Sequence, residues 1–166
     1  MRYIFALVDT SGSIRQNAKG QINDILEEIA REVSKVDKAF LSIITYGDSA
    51  KVHKDVLSKN YLAINTFEGR SNLGEGYNKI KDIMSVFGVN LKESLILLIS
   101  DGLATDDYKK ALGALDPFHI SKRVTFQLDE ERLTNEHHVG YNGSLIFDDK
   151  HGLIQKTLEI LDGISL

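Results

Sequence analysis

The chain has 166 residues, a formal net charge of −4, 42% hydrophobic and 27% charged residues, and no cysteine. This size and balance fit one soluble globular domain over residues 1–166, and the lack of cysteine excludes disulfides and thiolate metal sites. Lys109-Lys110 and Lys122-Arg123 are isolated basic pairs, which argues against a nucleic-acid surface. No apolar run has the length of a membrane span and no signal peptide precedes the first strand, so a cytoplasmic protein with no membrane contact is expected.

The run Arg2–Val8 reads as a buried strand. A helix is expected from about Ser13 to Val33, with Ile22, Ile25, Leu26, Ile29 and Val33 on one stripe; Ser13 and Gln16 stand at capping-box spacing at its start. Ala39–Tyr46 is a second strand. Lys51–Leu57 alternates less cleanly, with Tyr61–Phe67 as a possible continuation, and is assigned as a short edge strand. The next helix spans about Asn72 to Phe87, its stripe formed by Leu73, Tyr77, Ile80, Ile83, Met84 and Phe87. Ser94–Ser100 is the most strongly apolar strand. A short helix near Asp107–Leu115, a strand at Arg123–Leu128, a short helix plus loop over Asp129–Tyr141, a strand at Ser144–Phe147 and a helix near Gly152–Ile164 complete the chain. Alternating strands and helices imply an α/β fold with a doubly wound, mainly parallel sheet and helices on both faces.

The first and fourth strands both run into aspartate, at Val8-Asp9 and Ser100-Asp101. In a doubly wound sheet of order 3-2-1-4-5-6 these strands are neighbours at the switch point, where ligands bind outside the carboxyl ends. Asp9 and Asp101 should therefore meet across one crevice. Two facing carboxylates repel, so either one takes a proton or a cation sits between them, and a divalent cation is the expected resolution. Asp9, Ser11 and Ser13 form a D-x-S-x-S pattern whose three oxygens a short turn can converge, and the loop before the second long helix can add Ser71. Asp9, Ser11, Ser13, Ser71 and Asp101 are thus five hard oxygen donors from three loops, a set suited to Mg²⁺, with Mn²⁺ or Ca²⁺ as alternatives.

These segments resemble the von Willebrand factor type A (VWA) domain with its metal-ion-dependent adhesion site, a Rossmann-like family. The D-x-S-x-S motif matches Asp9, Ser11 and Ser13. The family's threonine loop resembles Gly69-Arg70-Ser71-Asn72-Leu73-Gly74-Glu75-Gly76-Tyr77. Its strand-four motif resembles Leu97-Leu98-Ile99-Ser100-Asp101-Gly102-Leu103-Ala104-Thr105-Asp106. Size and the Asp101–Asp106 segment are most similar to stand-alone bacterial VWA proteins of tellurite resistance and stress response. One departure is Ser71 in place of threonine: the hydroxyl is kept, but the methyl that stiffens its rotamer is lost, so looser coordination is expected.

The resemblance implies a non-enzymatic module that docks an acidic residue of a protein partner on the bound cation. The alternative is a Mg²⁺-dependent phosphatase or phosphoryl-transfer enzyme with Asp9 as nucleophile; that chemistry wants a second aspartate two residues on, where this chain has Ser11. Neither G-x-G-x-x-G nor G-x-x-x-x-G-K-[ST] follows a strand, which disfavours nucleotide binding. Several residues also have purely structural readings. Asn72 with Glu75 has the pattern of a cap for the second long helix, Thr105 and Asp106 that of a cap for the short helix after strand four, and His137-His138 that of a solvated loop pair.

Overall fold

A computed structural model describes residues 1–54, 61–89, 93–101, 105–115, 123–128 and 145–164. Its elements are β1 (Arg2–Asp9), α1 (Gln16–Val33), β2 (Ala39–Tyr46), β3 (Ala50–Lys54), α2 (Leu73–Phe87), β4 (Ser94–Ser100), α3 (Tyr108–Leu115), β5 (Arg123–Gln127), β6 (Leu145–Phe147) and α4 (Lys150–Asp162). The expected helix plus loop over Asp129–Tyr141, the 129–143 segment as a whole and His137-His138 lie outside the described residues.

The sheet has the expected order, β3-β2-β1-β4-β5-β6. All pairings are parallel except β2–β3, which is antiparallel at one edge and irregular between Ile43 and Ile44. β1 lies between β2 and β4, and both its faces are covered. Ile4, Ala6 and Val8 pack into a layer with α1 and α4, while Phe5 and Leu7 pack into a second layer with α2 and α3. Burial on both faces explains why β1 and β4 read as unbroken apolar runs. α1 contributes Ile22, Ile25, Leu26, Ile29 and Val33 to its layer, the stripe expected from the spacing.

Three local expectations are corrected. The segment Tyr61–Phe67 is not a strand. It lies against α1, where the Asn23 side chain accepts from the Ile64 amide (2.8 Å) and donates to the Ile64 carbonyl (3.0 Å). The capping box at Ser13 does not form: α1 starts at Gln16, Arg15 is its N-cap, and no side chain caps it. Phe87 is 43% exposed and leaves the α2 stripe. Gly88 there adopts φ +62°, and Val89, whose amide bonds the Met84 carbonyl, turns back onto the core in its place.

Glycine at position 76 lets α2 approach the sheet. A Cβ there would lie 3.0 Å from Leu7 Cδ2 and 3.5 Å from the Tyr46 ring. This close approach brings the start of α2, and with it Ser71, over the end of β1.

Candidate metal centre

β1 ends at Asp9, and its parallel register with β2 sets Asp9 beside Tyr46. The side chain of Asp9 is on the same face as Phe5 and Leu7, so its carboxylate emerges where α2 begins. The turn after β1 folds back on it: the Ser11 amide donates to Asp9 Oδ1 at 2.9 Å. On the other oxygen, Oδ2, the Ser71 hydroxyl donates at 2.7 Å and the Ser100 hydroxyl at 3.4 Å. Ser71 Oγ also lies 3.4 Å from Ser11 Oγ, the Ser11 and Ser13 hydroxyls are 3.0 Å apart, and Ser13 donates to Asp101 Oδ2 at 2.9 Å.

All five residues expected from the sequence therefore stand in one hydrogen-bonded chain: Asp9, Ser71, Ser11, Ser13, Asp101. Ser13, expected also as a helix cap, spends its hydroxyl on Asp101. Ser100 is an addition that the sequence reading passed over. It sits one residue before Asp101, and the β1–β4 register carries it to Asp9.

Both carboxylates are buried, Asp9 fully and Asp101 to within 3%. Burial, opposed by the Ser11 and Ser71 hydrogen bonds and reinforced by the nearby Asp101 charge, pushes the Asp9 pKa up from 3.8 to about 6. Burial likewise raises the Tyr46 phenol, with Asp9 adding to the effect, so that side chain stays neutral beneath the site. The chemistry of the donor set suits a divalent cation. Two acidic oxygens and three hydroxyls at hydrogen-bonding distances are hard ligands, and no basic side chain among the described residues pairs with Asp9. Among the described residues no three of His, Cys, Asp and Glu are grouped to hold a metal, so any cation here would rely on the hydroxyls and on water. A cavity of about 60 Å³ beside Ser13 and Asp101, also lined by Arg15 and Asn17, has room for that water or for an external ligand.

The loops are tied to one another by backbone bonds. The Gly12 amide donates to the Gly69 carbonyl, the Glu68 amide to the Thr10 carbonyl and the Asn72 amide to the Gly47 carbonyl. Gly69 has φ +81°, and a Cβ on it would fall 2.9 Å from the Asp48 carboxylate, so only glycine fits. That carboxylate accepts the Arg70 amide at 2.8 Å.

Capping of α2 differs from expectation. Asn72 makes no side-chain cap and donates instead to the Asp48 carbonyl. The cap comes from Asp106, which accepts the Gly74 amide at 2.9 Å. Thr105 and Asp106 thus serve α2 and the Ser71 loop, where the sequence pointed to α3. Alanine at position 74 would put its Cβ 2.7 Å from Asp106 Oδ2. Gly74→Ala is expected to dislodge this cap and cost roughly 1 kcal/mol despite the better helix propensity of alanine. Chemical denaturation would read this loss, and a stabilised variant would contradict it.

An open α/β sheet with a cluster of hard oxygen donors at its switch point defines the class of molecule. Comparison with solved structures narrows the fold. Over 97% of the chain it is similar to the manganese-loaded TRAP protein of Plasmodium vivax (TM-score 0.70, 13% identity, 73% of that chain). Proximal thread matrix protein 1 of the mussel byssus matches over 98% (TM-score 0.68, 14% identity, 47% of that chain). The ArnB paralog VWA2 of Sulfolobus acidocaldarius matches over 95% (TM-score 0.61, 15% identity, 44% of that chain). The chain has a VWA-type fold, and it spans less than half the length of the mussel and archaeal chains. No family model matches it, and no curated protein sequence does. No helix among the described residues is long and apolar enough to cross a membrane.

Proposed function

We propose that the chain is a divalent-cation-dependent protein-binding module. The observation that carries this reading is the hydrogen-bonded chain through Asp9, Ser71, Ser11, Ser13 and Asp101, which gathers two buried carboxylates and three hydroxyls at the switch point. In this reading the five side chains hold Mg²⁺, since a set with only two carboxylates leaves positions for water as that ion prefers. The manganese in the TRAP structure supports a divalent cation in a similar fold. Two carboxylates balance the formal charge of the ion but fill only part of its coordination sphere, which leaves positions for water or an external ligand. An aspartate or glutamate of a partner protein completes the coordination, and the loops around the site choose which partner.

Asp9 acts here as a ligand rather than a nucleophile. Both its oxygens already accept hydrogen bonds, and Ser11 stands where the phosphatase pattern needs an acid, so the enzymatic alternative gains no support. The Asp101–Asp106 segment keeps a bacterial tellurite-resistance or stress setting within the proposal. Loss of tellurite tolerance on deletion of the gene would support that setting, and unchanged tolerance would remove it.

The test is Mg²⁺ or Mn²⁺ titration of wild type and Asp9→Ala, with partner capture from native extract in magnesium and in chelator. Asp9→Ala is expected to weaken cation binding by more than about a hundredfold, beyond the effect of removing an outer partner of a ligand. Capture should fail in chelator. Capture that survives both chelator and Asp9→Ala would overturn the reading.

A further inference from the structure

We propose that Thr105 is the positioning residue that fixes Ser71 for the cation, an assignment that rests on the metal-binding reading above. Thr105 brackets the Ser71 backbone. The Ser71 amide donates to Thr105 Oγ1 at 3.0 Å, and the Thr105 amide donates to the Ser71 carbonyl at 2.9 Å. The same hydroxyl donates to Asn72 Oδ1 at 2.9 Å. Thr105 therefore pairs with both main-chain polar groups of Ser71 from 34 positions away in sequence, and the Ser71 carbonyl also accepts the Leu73 amide at 3.0 Å. Neighbouring residues are held by other groups, Arg70 by Asp48 and Gly74 by Asp106. The Ser71 amide is held by Thr105.

This bracket matters because residue 71 is serine. The place of its oxygen is set by the backbone and by one side-chain torsion, and serine lacks the branch that would restrict that torsion. In the metal-free protein the torsion is held by the 2.7 Å bond to Asp9. A cation held by Asp9 would draw on the carboxylate that this bond uses. The constraint that survives is the one on the backbone, to which Thr105 contributes an acceptor for the Ser71 amide and a donor to its carbonyl. Thr105 also follows Asp101 in the chain between β4 and α3, so one connection carries a carboxylate and anchors a hydroxyl from another loop. The looser coordination expected from serine alone is offset in this way.

Thr105 is exposed, so replacing it opens no cavity in the core. The experiment compares Thr105→Val, which keeps the shape and removes the hydroxyl, with Thr105→Ser, which keeps the hydroxyl. Mn²⁺ affinity is measured by titration well below the melting temperature, and exchange of the Ser71 amide is followed in the metal-free protein. Thr105→Val should weaken Mn²⁺ binding by about tenfold, as removing an outer partner of a ligand does, and should speed Ser71 exchange. Thr105→Ser should bind within about twofold of wild type, since the bond to the ligand's backbone is retained. If wild type binds Mn²⁺ and Thr105→Val binds it equally well, Thr105 is merely structural and the assignment fails alone. If wild type takes up no Mn²⁺, the metal-binding reading fails and takes this assignment with it.

Discussion

Asp9→Asn is expected to abolish divalent-cation binding and, in the same molecule, to stabilise the metal-free protein at neutral pH. Asp9 is fully buried, faces Asp101, and has its pKa raised from 3.8 to about 6, mainly by burial. A carboxyl with a raised folded pKa binds its proton more tightly in the folded chain than in the unfolded one. The metal-free fold is then most favoured below pH 3.8, and it loses stability as pH rises towards about 6. Above that range the charge costs on the order of 2–3 kcal/mol. Asparagine removes the charge and keeps the shape. Its carbonyl can accept the Ser11 amide, while the Ser71 and Ser100 hydroxyls rotate to accept from its amide group.

In chelator, the stability of Asp9→Asn minus that of wild type should be near zero around pH 4 and should grow up to pH 7. Denaturant titrations at several pH values would measure it. A wild type as stable as the variant at pH 7.5 would contradict the argument. Excess Mg²⁺ should narrow the gap by stabilising only the wild type, because a ligand that binds the folded state alone shifts the unfolding equilibrium. On the metal-binding reading, a site that weakens its own fold in the absence of an ion is a stability–function trade-off.

Asn23→Leu should destabilise the fold, although asparagine is a poor helix former. Its side chain works as a short strand edge in the middle of α1. It accepts from the Ile64 amide and from the Tyr61 hydroxyl, and donates to the Ile64 carbonyl. Ile64 is buried, so its backbone groups have few alternatives to these bonds. Leucine would raise helix propensity but leave an amide and a carbonyl unpaired, a loss of roughly 2–3 kcal/mol. The segment thereby released continues into Gly69–Ser71. Faster proteolysis between residues 61 and 72, together with weaker Mn²⁺ binding, is the expected outcome. An Asn23→Leu protein that resists protease and denaturant like wild type would show that the clamp contributes nothing.

The two most apolar strands and the aspartates that end them were readable because burial on both faces leaves a continuous apolar run. Strand–helix alternation also left few sheet orders open. Edges were harder. β3 is short and antiparallel, so its alternation is weak, and the 61–67 segment has strand-like composition without a strand partner. Phe87 fits the helical period, yet it falls on the turn where Gly88 redirects the chain. Period alone does not register that change of direction.

Asp9, Ser11, Ser13, Ser71 and Asp101 were legible as a set because cation chemistry demands hard oxygens at strand ends, and the topology brings those ends together. Their hydrogen-bond partners were not. Ser13 reaches Asp101 across 88 residues, Asp106 caps α2 across 32, and Thr105 meets Ser71 across 34. A serine before a helix or an aspartate after a strand looks the same in sequence whether it caps its own helix or a distant one. The sequence by itself determined the layered α/β architecture and the kind of atoms gathered at the switch point, since both follow from hydrophobic period and residue chemistry. Only the tertiary structure decided which hydroxyl serves which carboxylate and which residue holds Ser71. Hydrogen bonds depend on approaches of a few tenths of an ångström, and those are set by packing, as where Gly76 lets α2 close down on Leu7.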